Sequence, residues 1–220
     1  MKRFLILQYD NRALDNNLLE LTKINKSYCE THNYEYRFID TSYDLPVYWI
    51  KVYLVNEILK TDKYDGVLWL DTDACIYNAT IKLENLILEN KSFYLSPDNK
   101  KWNAKFCAGV FMVLNTNTGK QMIEEWMKCY NEKDWTKDVN NNKFSTSGSW
   151  AGTVYEQGSF TNYIWPKYND EIKSFDRAYL QSFYSDTLVD VDAKVFTLHF
   201  AGSLQKKEIS SFLITRKLTC

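Results

Sequence analysis

Gly66-Val67-Leu68-Trp69-Leu70-Asp71-Thr72-Asp73 is the stretch on which the chain turns. Four apolar residues between Gly and Asp predict a buried strand, because central strands of α/β sheets are covered on both faces and lose polar alternation. Ligands of such sheets bind beyond the carboxyl ends of the strands, which puts Asp71 and Asp73 at the ligand edge. Two carboxylates this close repel unless a cation or a proton lies between them. The Asp-x-Asp therefore reads as a divalent metal site or as a polar turn, in which Asp is also common.

Upstream, Phe4 to Tyr9 reads as a strand closing in the polar loop Tyr9-Asp10-Asn11-Arg12. Leu14, Leu18, Leu21, Ile24 and Tyr28 recur at helical spacing. Tyr34 to Ile39 reads as a second strand. Tyr48 to Lys60, with Pro46 just before it, reads as a second helix. A β-α-β-α-β series predicts parallel strands with right-handed crossovers, so the loop at Asp10 shares the edge of Asp71.

Downstream, Leu83 to Leu88 predicts a short helix, Ser92 to Ser96 a strand, and Gly109 to Asn115 a strong strand. Gly119 to Tyr130 predicts a helix with Met122, Ile123, Trp126 and Tyr130 in the core. Glu132 to Gly152 is polar and reads as a long loop, a class that is usually functional or disordered. Gly158 to Trp165 reads as helical from a few residues earlier, Val195 to Phe200 as a last strand, and Gln205 to Lys217 as a terminal helix or tail. No repeat or linker divides the chain, so residues 1–220 are expected to form one domain.

The 220 residues suffice for a full core. A net charge of −1 gives no electrostatic case for nucleic acid or an acidic membrane. Five Cys, widely spread and without Cys-x-x-Cys, argue against a zinc ribbon or disulfide framework and fit a reducing compartment. The apolar part of Met1 to Leu7 is too short for a signal peptide. No segment approaches the ~18 apolar residues of a membrane span. The expectation is a soluble cytoplasmic protein.

Five blocks stand in a telling order: Tyr48-Trp49-Ile50-Lys51; Val67 to Asp73; Ala108 to Asn115; Glu156-Gln157; and His199-Phe200-Ala201-Gly202. In that order they resemble the GT-A glycosyltransferases of the galactosyl/xylosyltransferase (GT34-like) group, which includes yeast mannan-building galactosyltransferases and plant xyloglucan xylosyltransferases. The resemblance implies an α/β fold of the GT-A kind, a three-layer sandwich with a mixed central sheet. It implies transfer of a sugar from a nucleoside diphosphate donor, a UDP-sugar, to a glycan or other hydroxyl acceptor, with retention. The alternative is a non-catalytic nucleotide-sugar or glycan-binding module on the same fold. A haloacid-dehalogenase phosphatase also ends a strand in Asp-x-Asp, but on its first strand and followed by Gly-Thr; here Ala74-Cys75 follows.

The resemblance also assigns residues. Asp71, Asp73 and His199 would hold Mn²⁺ (or Mg²⁺), the imidazole favouring Mn²⁺. Gly202 would let the backbone approach a phosphate. Tyr9, Asp10 and Arg12 would face base and ribose, joined by Lys51, Asp71 and the Thr72 backbone around the nucleotide. Asn115 and Asp98 would reach the donor sugar, and Lys206 the diphosphate. Gln157 would present its carbonyl oxygen to the developing sugar cation, with Glu156 orienting it or the sugar hydroxyls. His32, outside these blocks, reads as structural, and Trp49, inside the first of them, as packing.

Overall fold

The structure, a computed structural model, describes residues 2–98, 105–141, 143–176, 179–184, 195–202 and 207–219. Six strands form the central sheet: β1 (Phe4–Tyr9), β2 (Glu35–Ile39), β3 (Gly66–Leu70), β5 (Phe93–Pro97), β6 (Phe106–Leu114) and β9 (Ile172–Ser174). Their order is β2-β1-β3-β6-β5-β9. The pairs β1–β2, β1–β3 and β5–β9 are parallel, whereas β6 is antiparallel to both neighbours. β6 alone therefore runs against the other five, which makes the sheet mixed.

The run Val67-Leu68-Trp69-Leu70 is buried throughout because its alternate side chains enter two different cores. Val67 and Trp69 pack with Leu5, Leu7 and the helices α2 (Val47–Lys60) and α3 (Asn117–Lys128). Leu68 and Leu70 pack with Phe4, Ile6 and Tyr28 of α1 (Asn16–His32) on the opposite face. The result is the expected three-layer sandwich. α1 starts on Asp15, whose carboxylate accepts from Leu18 N at 3.0 Å, and stops at Asn33 in the left-handed conformation.

Beyond Leu70 and the Asp71-Thr72-Asp73 turn the chain forms β4 (Ala74–Ile76), a strand not anticipated from the sequence. β4 pairs antiparallel with β11 (Thr197–His199), which pairs with β10 (Ser182–Phe183) in a second, smaller sheet. The polar stretch Glu132 to Gly152 is not a bare loop: β7 (Thr136–Asp138) and β8 (Lys143–Ser145) form a hairpin within it. A Lys137–Asp44 ion pair of 2.7 Å ties this hairpin to the segment before α2. The Gly158 region is a short helix, α4 (Glu156–Ser159), running into one π-helical turn. A last helix, α5, spans Ile209–Thr219. Among the described residues, no helix is long and apolar enough to cross a membrane. Cys29, Cys75, Cys107 and Cys129 are free thiols.

Candidate functional site

Strand pairing brings the acids and the imidazole together. β11 lies on β4 with His199 opposite Ala74, and Phe200 N donates to Asp73 O at 2.8 Å. His199 is thereby set beside Asp73, with Nε2 3.2 Å from Asp73 Oδ1. Room for the ring comes from β6, where a Cβ on Gly109 would lie 2.1 Å from His199 Cε1. On the far side of the ring, Cys107 Sγ lies 3.8 Å from Nδ1. Strand alternation puts Cys107 and Gly109 on the same face of β6.

One ligand atom each from Asp71, Asp73 and His199 lies within 4.8 Å of the others. Two carboxylates and an imidazole on a cleared shelf fit a divalent cation, and the nitrogen donor suits Mn²⁺ better than an all-oxygen set would. His199 is buried, which disfavours its cation, but the hydrogen bond and charge of Asp73 win and raise its pKa well above the ordinary value. The pocket already stabilises positive charge.

Asp71 is engaged differently. Lys51, on the second turn of α2, places Nζ 2.8 Å from Asp71 Oδ1 and 3.2 Å from Oδ2, and donates to Ala108 O at 3.1 Å. Trp69 Nε1 also donates to Asp71 Oδ1, at 2.8 Å. Burial works against the Lys51 ammonium, yet Asp71 and Glu156 outweigh it and hold its pKa above the usual lysine range. Asp71 is thus held in place by protein donors, while Asp73 pairs with His199 at the other edge of the triad. Backbone anchors complete the turn: Asp71 N donates to Gly109 O at 2.8 Å, and Gln8 Nε2 to Asp71 O at 3.1 Å.

Glu156 lies behind Lys51, its Oε1 3.7 Å from Nζ. Its Oε2 is buried and has no hydrogen-bond partner. Burial drives the Glu156 carboxyl up, Lys51 opposes and Asp71 reinforces, and the balance stands at about 7. Gln157 follows on α4 and is buried with it. The α4 backbone is fixed by Trp126 Nε1 donating to Glu156 O at 2.8 Å.

A cavity of about 730 Å³ opens over this edge, lined among others by Tyr9, Asp10, Arg12, Lys51 and the whole Asp71-Thr72-Asp73 turn. Its size suits a nucleotide-scale ligand. Asp10 joins the loop to the turn: Arg12 grips both its oxygens, at 2.8 and 2.6 Å, and Thr72 Oγ1 donates to Oδ2 at 2.8 Å. Burial pushes the Asp10 carboxyl up, but these bonds prevail and hold it below its ordinary value. Tyr9 is buried with its hydroxyl unpartnered. Burial, then the Asp10 charge, pushes that phenol up to about 12. Gly202 follows β11 with φ +81°, a left-handed conformation suited to glycine.

Asn115 is a correction. The resemblance puts it near the donor sugar, but β6 runs antiparallel, so its last residues lie beside the start of β3: Leu114 pairs with Gly66. The Asn115 amide donates to Tyr64 O and Asp62 Oδ1. It stands at the opposite edge of the sheet from Asp71, roughly 20 Å away at ~3.3 Å per strand residue. Asp98 follows directly on β5, with its N donating to Lys105 O. Lys206 lies outside the described residues. The sequence alone does not mark Gly109 as a shelf, Cys107 as a neighbour of the imidazole, or Gln8 as an anchor of the turn. A Gly inside an apolar strand is the one signal that marks close approach.

The sequence model of the galactosyl transferase GMA12/MNN10 family matches residues 5–96, under half of the chain but including Asp10, Lys51 and the Asp71-Thr72-Asp73 turn. No curated protein matches the chain in sequence. Among solved structures, a glycosyltransferase involved in the glycosylation of the major capsid of PBCV-1 superposes with a TM-score of 0.75 at 13% identity, over 96% of this chain and 99% of that one. The WbbM bifunctional glycosyltransferase gives a TM-score of 0.48 at 11% identity, over 92% of this chain and 46% of that one. A197 from STIV gives 0.44 at 11% identity, over 80% and 82%. Residues 5–96 are thus similar in sequence to the galactosyl transferase GMA12/MNN10 family, and the chain as a whole shares the GT-A-like fold of the PBCV-1 glycosyltransferase.

Proposed function

We propose that the chain transfers a sugar from a UDP-linked donor to a hydroxyl acceptor, a glycan or another hydroxylated molecule, with retention of anomeric configuration and with Mn²⁺ in preference to Mg²⁺. The observation that carries the reading is the convergence of Asp71, Asp73 and His199, with the two acids also lining the cavity that Tyr9, Asp10 and Arg12 line. Retention and the UDP donor rest on the family resemblance.

Asp71, Asp73 and His199 would hold the cation, and Lys51 and Trp69 would keep Asp71 oriented toward it. A divalent ion bound there supplies charge neutralisation for the departing diphosphate. Asp10, fixed by Arg12 and Thr72, presents an ionised acceptor for a base N–H or a ribose hydroxyl. Gln157 offers a neutral carbonyl dipole to the sugar carbon as positive charge develops on it, which stabilises a cation without committing a nucleophile. The acceptor oxygen bonds to the anomeric carbon as the bond from that carbon to the diphosphate breaks, and the acceptor proton leaves with the diphosphate. Incubation with Mn²⁺ and a panel of nucleotide-sugars tests the reading. UDP release from one donor, dependent on Mn²⁺ and lost on chelation, is the expected outcome. Release of phosphate from phosphomonoesters with no nucleotide-sugar turned over would replace it.

A further inference from the structure

Beside the cavity stands a cluster of rings that the donor chemistry leaves unused. Tyr48, at the start of α2, lies 5.3 Å from Trp150 and 5.0 Å from Tyr155 between ring centroids, and Trp150 lies 5.0 Å from Tyr155. Trp135 adjoins both Tyr155, at 5.4 Å, and Tyr48, at 6.2 Å. Tyr48 and Trp135 line the cavity itself. Trp150, one ring further out, keeps 53% of its surface exposed despite two aromatic neighbours, and Val47 beside Tyr48 keeps 57%. Lone exposed apolar residues are ordinary, but an exposed indole mounted on other rings at a cavity's rim is a presented surface.

The backbone under Trp150 is held at a cost. Ala151 sits in the left-handed region, φ 58°, which an L-residue with a Cβ disfavours. Its loop is pressed onto α4, where a Cβ on Gly158 would lie 2.1 Å from Gly152 O and 2.2 Å from Ala151 O. Tyr155 N donates to Gly152 O at 2.9 Å. The platform is thus fixed to the helix that carries Glu156 and Gln157, and Tyr155 is the residue immediately before them. A second observation points to a ligand: the buried Trp135 indole N–H has no hydrogen-bond partner. Polar groups complete the rim, with Asn141 and Lys143 of the hairpin and Ser42 also lining the cavity.

We infer that Trp150, Tyr48 and Tyr155, with Trp135 behind them, form the acceptor subsite, and that the acceptor is a saccharide whose apolar ring face lies on Trp150. The inference rests on the transferase reading and adds the acceptor's class and place. An acceptor oxygen has to reach the sugar carbon beside Gln157, and this platform is continuous with α4. Broad aromatic faces with a few polar groups around them suit a ring that has an apolar face and hydroxyls at its edge. A peptide acceptor would need extended-backbone hydrogen-bonding partners, and the rim offers rings instead.

The test measures binding of methyl glycosides and disaccharides of glucose, galactose, mannose and xylose to the full chain loaded with UDP and Mn²⁺, by saturation-transfer NMR, with a serine-rich peptide as the rival probe. Wild type is expected to bind at least one saccharide, Trp150→Ala to bind it at least tenfold more weakly, and Trp150→Phe to keep most of the affinity. Tyr163→Ala, which removes an equally exposed ring elsewhere, is expected to match wild type. UDP affinity is measured on every variant by calorimetry. Equal saccharide binding by Trp150→Ala, no saccharide bound by wild type, or binding of the peptide instead would overturn the inference. Failure of wild type to bind UDP strikes the donor reading, while saccharide binding that still depends on Trp150 continues to support the platform.

Discussion

Lys51 is the residue on which the buried charges balance. It is almost wholly buried, and a buried ammonium is tolerable only with partners; it has two, Asp71 and Glu156. Lys51→Met leaves Glu156 without its cation and should cost about 3–5 kcal/mol in urea unfolding. Lys51→Met combined with Glu156→Gln should recover part of that loss, because the buried Glu156 carboxylate is no longer left unpaired, while Asp71 keeps the Trp69 indole donor. Glu156 also gives a pH signature. Its carboxyl titrates at about 7 in the fold against 4.5 ordinarily, so between these values the folded state holds a proton that the unfolded state has lost. The share of the stability that Glu156 contributes in the metal-free protein should therefore fall as pH rises from about 4.5 to about 7 and level off above. The total is about 3 kcal/mol at most. Glu156→Gln should flatten that slope in Tm measured against pH; an unchanged slope would assign the titration to another group. Gly109 is the residue with least room to change. Gly109→Ala puts a methyl where the His199 ring lies, and Mn²⁺ affinity with UDP present should fall about 10–100-fold by calorimetry. Unchanged affinity would remove His199 from the ligand set.

At the scale of elements, the site is made by the turns and short strands that succeed the main strands rather than by those strands themselves. The β3 strand and its Asp-x-Asp are readable because an apolar run that stops in acids has few other meanings in an α/β sheet. The β4 strand is not, since three residues give no periodicity to read, and it is β4 pairing with β11 that brings His199 to Asp73. In the sequence, His199 is marked by resemblance alone. Strand direction is likewise silent there, and Asn115 is misplaced for that reason: a parallel β6 would have ended at the site, and the antiparallel one ends at Tyr64. The hairpin inside Glu132 to Gly152 is hidden by its polarity, because an exposed two-stranded ribbon has no buried face to pattern. Gly158 belongs to this scale too. It lets the loop at Ala151 lie on α4, so Gly158→Ala should lower stability by about 2 kcal/mol in thermal unfolding, through a clash with backbone that cannot yield. A neutral result would mean that the loop is not docked on α4.

Over the whole molecule, one mixed sheet supplies the floor of the site and a second, smaller sheet supplies His199, the proposed third ligand. Both sheets meet at Asp71-Thr72-Asp73, so the turn is a structural junction as well as the proposed cation site. The cavity then divides by direction: Tyr9, Asp10 and Arg12 on the side of β1, the rings of Tyr48 and Trp135 on the side of α2 and the hairpin. A donor on the first side and an acceptor on the second would share this one cavity. The most direct test is metal-dependent release of UDP from a panel of UDP-sugars, run on wild type and on Asp73→Ala. Wild type should turn over at least one donor with Mn²⁺, and the variant should lose at least about 100-fold, or about 2.7 kcal/mol of transition-state stabilisation at about 1.36 kcal/mol per factor of ten. No donor turned over by wild type, with Asp73→Ala binding UDP and Mn²⁺ as tightly as wild type does, would contradict the assignment of this turn as the cation site of a sugar transferase.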